Sequence, residues 1–370
     1  MTLPFARRQI ALLKRMAPSC VLLRSPLNFG AAAFLSLALA LPAAAQQVTV
    51  VGWGGSWDQA YKDGVWDRYT AETGVRIIQE EWGSEIAKVR AQVQSGAITY
   101  DIVSAEAPAA EIGCAEGLFV PLGPEVTGPP ENYLPGTLHE CGVASDTWAT
   151  VLVYDKDVFG EDGPKTWADF FDLERFPGKR GLSAQAQYTL ENVLMGDGVA
   201  REDVFAVLST PEGIERTFKK LDTIKDQVVW WHSSTQAVQN LAAGEVVMSD
   251  QYNARITSEI RDEGKNWQIV WEAGFFYGTD VWAVVAGAPN EAEALKLLTW
   301  FSEPEHQAGF SKLYAYGTGR IEAAEFIPAE QLSQLPTSPE HLAYGQQSDD
   351  AFWSTHKEAL EARFQAWLAE

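Results

Sequence analysis

The residues with the clearest capacity for chemistry lie in the turn Gly52-Trp53-Gly54-Gly55-Ser56, which connects the first predicted strand to the first predicted helix. Such a turn provides flexible backbone, the amide donors of a helix N-terminus and an aromatic face. A dinucleotide-binding fingerprint is excluded because Trp57 stands where the third glycine is needed. Trp53 is therefore a candidate ligand platform, with a core position as the alternative, whereas Trp57 starts an apolar helical stripe and is predicted to be core.

The sequence lacks the patterns of common catalytic and metal sites. The five histidines are scattered, at positions 139, 232, 306, 341 and 356, and neither CxxC nor HxxxH spacing occurs. No nucleophile motif is present either. We therefore predict that the protein is not an enzyme and uses neither a metal nor another cofactor.

Aromatic and acidic side chains are both abundant. The chain has 14 Trp and 11 Tyr, and its formal net charge is −22 at pH 7. An acidic surface repels nucleic acid and anionic lipid, so we expect no nucleic-acid partner. The charge indicates either attraction for cationic ligands or a solvated surface suited to salty surroundings.

Residues 1–45 have the three-part pattern of a secretory signal peptide. The basic segment contains Arg7, Arg8, Lys14, Arg15 and Arg24. It precedes an apolar run, residues 31–41, which ends in Ala43-Ala44-Ala45. The run is shorter than the about 20 residues that span a bilayer. We expect cleavage after this segment and a mature protein that is free in the periplasm.

Two cysteines, Cys114 and Cys141, follow the predicted leader. In an oxidising compartment, a pair of cysteines predicts one disulfide. The loop between them is rich in Gly and Pro, and closing it should stabilise the fold by roughly 3–4 kcal/mol.

The elements that must position these residues start with alternating strands and helices. Strands are predicted at 48–51, 75–78 and 101–103, and apolar residues at helical spacing occupy 57–69 and 86–93. This βαβαβ order predicts a parallel sheet covered by helices, with ligands bound beyond the carboxyl ends of the strands.

The size of the chain predicts two lobes, because close to half of its residues are apolar and one compact core rarely holds so many. Two long strands, Thr147–Asp157 and Thr279–Val285, are candidates for the crossings between lobes. The second is followed by a predicted helix at 291–301.

Several segments together resemble the periplasmic solute-binding proteins of ABC importers, and most closely the spermidine/putrescine-binding branch. In chain order they are Val50-Val-Gly-Trp53, Tyr100-Asp-Ile-Val103, Val153-Tyr-Asp-Lys156, Thr166-Trp-Ala-Asp-Phe170 with Phe176-Pro-Gly-Lys179, Gly244-Glu-Val-Val-Met248, and Thr279-Asp-Val-Trp-Ala283 with Gly287-Ala-Pro-Asn290. The resemblance implies a type II periplasmic-binding fold with two α/β lobes, each a mostly parallel sheet covered by helices, joined by hinge strands. It also implies a monomer that delivers a small ligand to an ABC permease and its ATPase.

Matched position by position, the resemblance implies a ligand site in which aromatic side chains enclose a methylene chain and carboxylates hold ammonium groups. The implied ligand-binding residues are Trp53, Glu106, Ser234, Tyr252, Asp280 and Tyr316. Other roles stay open for several of them. Asp280 could cap a helix or pair with a lysine, Ser234 could serve only as an N-cap, Tyr252 could belong to the core, and Glu106 could be a solvated loop acid.

Two departures from the polyamine binders bear on the ligand. Gly278 stands where those proteins carry an aromatic residue, and residues 183–188 lack an expected acidic pair. The main prediction is a small cationic solute, a polyamine or a related amine with one cationic centre. A carbohydrate or an amino-acid derivative is the alternative.

The expected organisation follows from the resemblance and the crossings. Residues 1–45 form the signal peptide, 46–148 with 281–330 form the first lobe, and 149–280 form the second. Residues 331–370 form a C-terminal helical segment that packs across the lobes.

Overall fold

The computed structural model describes residues 46–83 and 85–370, so the predicted signal peptide lies outside the described residues. The described residues build one mixed sheet. Its strands are β1 (Gln47–Gly52), β2 (Arg76–Glu81), β3 (Ile102–Glu106), β4 (Leu138–His139), β5 (Gly142–Asp155), β6 (Arg180–Ser183), β7 (Val228–Trp231), β8 (Met248–Tyr252), β9 (Trp267–Ile269), β10 (Phe275–Val284) and β11 (Gly345–Gln347).

Helices surround this sheet. They are α1 (Gly55–Tyr61), α2 (Asp67–Thr73), α3 (Ile86–Ser95), α4 (Ala107–Ala115), α5 (Pro124–Thr127), α6 (Lys156–Phe159), α7 (Trp167–Phe171), α8 (Thr189–Gly196), α9 (Val204–Leu208), α10 (Pro211–Asp222), α11 (Ser234–Ala242), α12 (Asn253–Asp262), α13 (Glu291–Phe301), α14 (Pro304–Ser311), α15 (Ala329–Leu332), α16 (Pro339–Leu342) and α17 (Asp350–Leu368). Among the described residues, none of these helices combines the length and the apolar character that crossing a membrane requires.

The strand order is β2-β1-β3-β10-β5-β8-β6-β7. Strand β1 is parallel to β2 and β3, and β6 is parallel to β7 and β8. Between these two parallel groups, β10 and β5 run antiparallel to each other and to their outer neighbours. The predicted α/β architecture of two parallel sheets joined by long strands is confirmed.

The first helical segment shows how the sequence pattern becomes packing. Trp57 is only 4% exposed, and its ring centroid lies 4.4 Å from that of Tyr61 and 5.4 Å from that of Trp282 on β10. The predicted stripe therefore faces the sheet. Helices α1 and α2 are joined by a π-helical turn, Lys62–Trp66, which rotates the stripe without breaking the helix.

The last helix, α17, buries a row of aromatic and aliphatic side chains. These are Phe352, Trp353, Leu360, Phe364 and Trp367. They pack in the core around α8, α9 and α10, and the indole Nε1 of Trp353 donates to Glu191 Oε1 at 2.7 Å. The helix also contacts α4.

A disulfide joins Cys114, in the last turn of α4, to Cys141, which immediately precedes β5, with Cα atoms 5.7 Å apart. Replacing both cysteines with alanine should lower the free energy of unfolding by roughly 3–4 kcal/mol, because the unfolded chain regains the entropy of an open loop. Denaturant titration of the double variant against the oxidised parent measures the difference. Equal midpoints and slopes would show that the bridge does not constrain the unfolded chain.

Candidate functional site

A cavity of about 180 Å³ lies beside the central strands β3, β10 and β5. It is lined by Trp53, Gly54, Trp57, Glu106, Trp148, Ser234, Tyr252, Arg255, Asp280, Tyr314 and Tyr316. All six of the residues selected from the sequence are in this lining. The structure thus brings together side chains that come from the first strand-to-helix turn, from the ends of β3 and β8, from β10, and from the start of α11.

Three carboxylates stand in a row across adjacent strands. Asp280 of β10 is directly opposite Glu106 of β3 and also directly opposite Asp146 of β5. Opposite residues of antiparallel strands project on the same face, so the three acids share one side of the sheet. Asp280 is 6% exposed and Asp146 is fully buried, whereas Glu106 is exposed.

The environment of Asp280 favours its uncharged form in the empty site. Burial raises the pKa of Asp280 well above its usual range, and the negative charges of Asp146 and Glu106 raise it further. The indole Nε1 of Trp148 donates to Asp280 Oδ1 at 3.1 Å, which acts in the opposite direction. The partner of Asp280 is this indole, so neither a helix cap nor a lysine pair explains it among the described residues.

Asp146 supports the row from behind the cavity. Trp57 Nε1 donates to Asp146 Oδ2 at 2.9 Å, while Asp146 Oδ1 has no hydrogen-bond partner among the described residues. Burial raises the pKa of Asp146 as well. Two buried acids that face each other disfavour double ionisation, so this pair binds a proton readily when no cation is present.

Aromatic rings form much of the remaining wall. Trp53 Nε1 donates to Ser104 Oγ at 3.0 Å, which fixes the indole against β3. The rings of Trp148 and Tyr252 meet edge to face with centroids 5.2 Å apart, and Tyr314 and Tyr316 meet similarly at 5.1 Å. Burial, followed by nearby negative charge, raises the pKa of Tyr252, so its hydroxyl stays neutral. Tyr252 is half-buried and its ring reaches the cavity.

Arg255 is the functional candidate that sequence reasoning missed. It lies in the first turn of α12 and is exposed, and no ion pair among the described residues includes it. The neighbouring Arg261 on the same helix, in contrast, is paired with Asp262. The signal available in the sequence was the position of Arg255 three residues after the candidate Tyr252.

The structure decides one alternative for Ser234. The N-cap of α11 is Ser233, whose hydroxyl accepts from the amide of Gln236 at 3.2 Å. The N-cap interpretation of Ser234 is therefore wrong. Ser234 Oγ donates instead to Gln251 Oε1 at 3.2 Å, which holds it at the cavity edge between α11 and β8.

Two α/β halves that meet at long shared strands, with a small charged and aromatic cavity beside those strands, define the class of two-lobed solute-binding proteins. The chain belongs to the family of bacterial extracellular solute-binding proteins, whose model matches residues 65–340. Members of this family bind a small solute and work with an ABC permease and ATPase; they are not enzymes.

Particular relatives differ in how similar they are. The gamma-aminobutyric acid-binding protein of Pseudomonas aeruginosa is 41% identical over 335 residues, which cover 90% of this chain and 94% of the relative. The spermidine/putrescine-binding periplasmic protein of Escherichia coli is 22% identical, covering 77% of this chain and 82% of its own. Among solved structures, the Atu4243 GABA receptor superposes with a TM-score of 0.77 at 26% identity, covering 88% of this chain and 98% of the receptor.

Proposed function

We propose that the protein captures a small zwitterionic amino-acid derivative, an ω-amino acid such as gamma-aminobutyric acid (GABA), and delivers it to an ABC permease. The observation that carries this proposal is that acidic and basic side chains line one small cavity: Asp280 and Glu106 together with Arg255, which has no ion-pair partner among the described residues. A ligand with an ammonium and a carboxylate joined by a short methylene chain satisfies both.

In this proposal the ammonium group lies against Asp280. A desolvated carboxylate forms strong charge-assisted hydrogen bonds with an ammonium. The faces of Trp53, Tyr252 and Tyr316 add cation–π attraction of about 0.5–2 kcal/mol. Glu106 supplies further negative charge at the same end.

The ligand carboxylate lies against Arg255. A guanidinium binds a carboxylate through two parallel hydrogen bonds, and its position in the first turn of α12 adds the positive end of the helix dipole. Ser234 at the cavity edge is a neutral hydrogen-bonding group for the same carboxylate.

The other ligand classes fit this site less well. A polyamine needs acids at both ends of its chain, whereas Arg255 repels a second ammonium. A neutral sugar needs neither the buried acids nor the arginine. The much closer relationship to a GABA-binding protein than to the polyamine binders also supports the amino-acid derivative over the main prediction from the sequence.

Calorimetric titration with four compounds tests the proposal. GABA carries both charges, butylamine lacks the carboxylate, butyrate lacks the ammonium, and putrescine has a second ammonium. GABA should bind most tightly, and at 100 times its dissociation constant it should stabilise the protein by about 2.7 kcal/mol in thermal unfolding. Tighter binding of putrescine than of GABA would refute the proposal.

Affinity for GABA should depend on pH through Asp280. Its pKa is raised in the empty site, and the ligand ammonium lowers it in the complex, so binding releases a proton at pH values between these two pKa values. The dissociation constant should therefore rise by up to about tenfold per pH unit as the pH falls below that pKa, and be flat above it. Between about pH 5 and pH 9 the ligand keeps both charges.

Titrations in buffers with different ionisation enthalpies would count the released proton directly. The Asp280→Asn variant is the control, since it has no carboxylate to titrate at this position. A pH-independent dissociation constant without proton release in the parent protein would contradict the assignment.

The two-lobe division proposed for this function assigns 46–148 with 281–330 to one lobe and 149–280 to the other. The boundary residues lie on β5 and β10, the long strands between the two parallel groups. We also propose export to the periplasm through the leader at 1–45.

A further inference from the structure

A second cavity, of about 40 Å³, adjoins the ligand cavity. Glu106, Trp148 and Tyr252 line both spaces. The second space also contains charged side chains, Asp350 and Lys357, so it can accept a polar group. The indole of Trp148 is the largest of the three side chains that line both cavities.

Trp148 is held from several sides. It is 8% exposed, and its Nε1 donates to Asp280 Oδ1. Its ring meets the rings of Tyr188 and Tyr252 edge to face, with centroid distances of 5.1 and 5.2 Å. Because rotating the indole away would break all of these contacts, it is a fixed wall.

Gly278 leaves room for the indole of Trp148 because it has no side chain. This residue pairs directly with Trp148 across β10 and β5. A Cβ atom at Gly278 would lie 2.6 Å from Trp148 Cζ2 and 2.8 Å from the Tyr188 hydroxyl, distances too short for any side chain. The space that an aromatic residue at this position would need is thus taken by Trp148 and Tyr188.

Tyr188 backs the wall from an unusual backbone conformation. Its φ angle is 66°, in the left-handed region that residues other than glycine rarely adopt. Such conformations persist where the surrounding structure enforces them, commonly at functional sites. Here the conformation positions the phenol ring against Trp148.

We propose that Trp148, seated on Gly278 and backed by Tyr188, sets the maximum length of the ligand. The choice of ligand series rests on the proposed function, in which the ammonium binds Asp280. Because Asp280 itself accepts from Trp148, an ammonium at this acid is already next to the indole. A longer ω-amino acid would have to push its ammonium past the ring and into the second cavity.

Calorimetry with β-alanine, GABA, δ-aminovalerate and ε-aminocaproate on three proteins tests the wall. The parent should prefer GABA to ε-aminocaproate by about 10- to 100-fold. Trp148→Phe keeps a ring but loses the Nε1 donor, so it should weaken both ligands while the ratio stays close to that of the parent. Trp148→Ala joins the cavities, so the affinity for GABA relative to ε-aminocaproate should fall by at least about tenfold.

Two results would overturn the wall. One is a parent protein that binds ε-aminocaproate as tightly as GABA. The other is a Trp148→Ala protein whose affinity for GABA relative to ε-aminocaproate equals that of the parent. If thermal unfolding shows that Trp148→Ala does not fold, Trp148→Leu replaces it, with the same fall in ratio expected.

Failure of the proposed function gives a different pattern. A parent that binds putrescine but none of the ω-amino acids refutes that function alone. The parent and the same variants are then titrated with putrescine, cadaverine and hexamethylenediamine. Only Trp148→Ala should lose the discrimination among these diamines by length; any other result refutes the wall as well.

Discussion

Asp280→Asn should weaken GABA binding by at least about 30-fold. Truncating one partner of a desolvated charge pair typically costs 2–5 kcal/mol or more, since the other charge is left without its counterpart. Asparagine has nearly the same shape as aspartate and can still accept a hydrogen bond from Trp148 Nε1, so the cavity keeps its walls. Calorimetric titration of the variant at neutral pH measures the loss.

The stability of the empty variant separates a binding effect from a folding defect. Asp280 has a raised pKa in the folded protein, so at neutral pH its buried carboxyl destabilises the empty fold relative to the unfolded chain. Asparagine has no charge to bury, and the empty variant should unfold at the parent temperature or above it. An Asp280→Asn protein that binds GABA like the parent would remove Asp280 from the site.

Arg255→Glu should reverse the preference between GABA and putrescine. In the proposed binding mode Arg255 binds one end of the ligand and Asp280 the other, whereas the variant would present acids to both ends. Charge-assisted hydrogen bonds contribute about 1.5–3 kcal/mol each, so GABA should lose at least about tenfold in affinity, and putrescine should gain from the new carboxylate. Competition calorimetry with the two ligands gives the ratio.

Arg261→Glu is the matched control for this substitution. Arg261 lies on the same helix. Both arginines line a neighbouring cavity of about 480 Å³, but Arg261 is absent from the lining of the ligand cavity. It changes the net charge of the protein by the same amount, so it reports any general electrostatic effect. If both variants shift the ratio equally, the effect is long-range and Arg255 does not contact the carboxylate.

Local patterns predicted much of the fold. The helix predicted at 291–301 coincides with α13, and Gly74 and Gly96 end α2 and α3 in left-handed conformations, as a C-terminal glycine does. Both parallel groups have the pairing expected of alternating strands and helices. These features depend on neighbours in sequence, which a single chain displays.

Other features depend on contacts between distant segments. Trp148 and Asp280 are 132 residues apart, yet a hydrogen bond joins them because β5 and β10 pair. Their register shifts at a bulge between Asp280 and Val281, which no local pattern indicates. The opposition of Asp146 and Asp280, and the partition made by Trp148, therefore appear only in three dimensions.

The sequence identified only part of the candidate ligand site, because matching to a related branch has its own limit. Trp53 was selected from its place in the first strand-to-helix turn, whereas Asp280 was selected through motifs shared with the polyamine binders, and motifs carry over only what two groups have in common. In the proposed function Arg255 distinguishes this cavity from a polyamine site, so matching to the polyamine-binding branch passed over it. Charge complementarity around the cavity supplies the missing criterion.

The alternation of β10 has an evolutionary consequence. Gly278 and Asp280 project toward the cavity side, while Val281, on the opposite face, is buried in the core with Val103 and Phe119. A substitution at Asp280 can change which solute is recognised while Val281 continues to hold the fold. Because neighbouring positions of this strand serve the cavity and the core separately, the solute recognised can diverge among descendants of one ancestor while the core side of the strand stays the same.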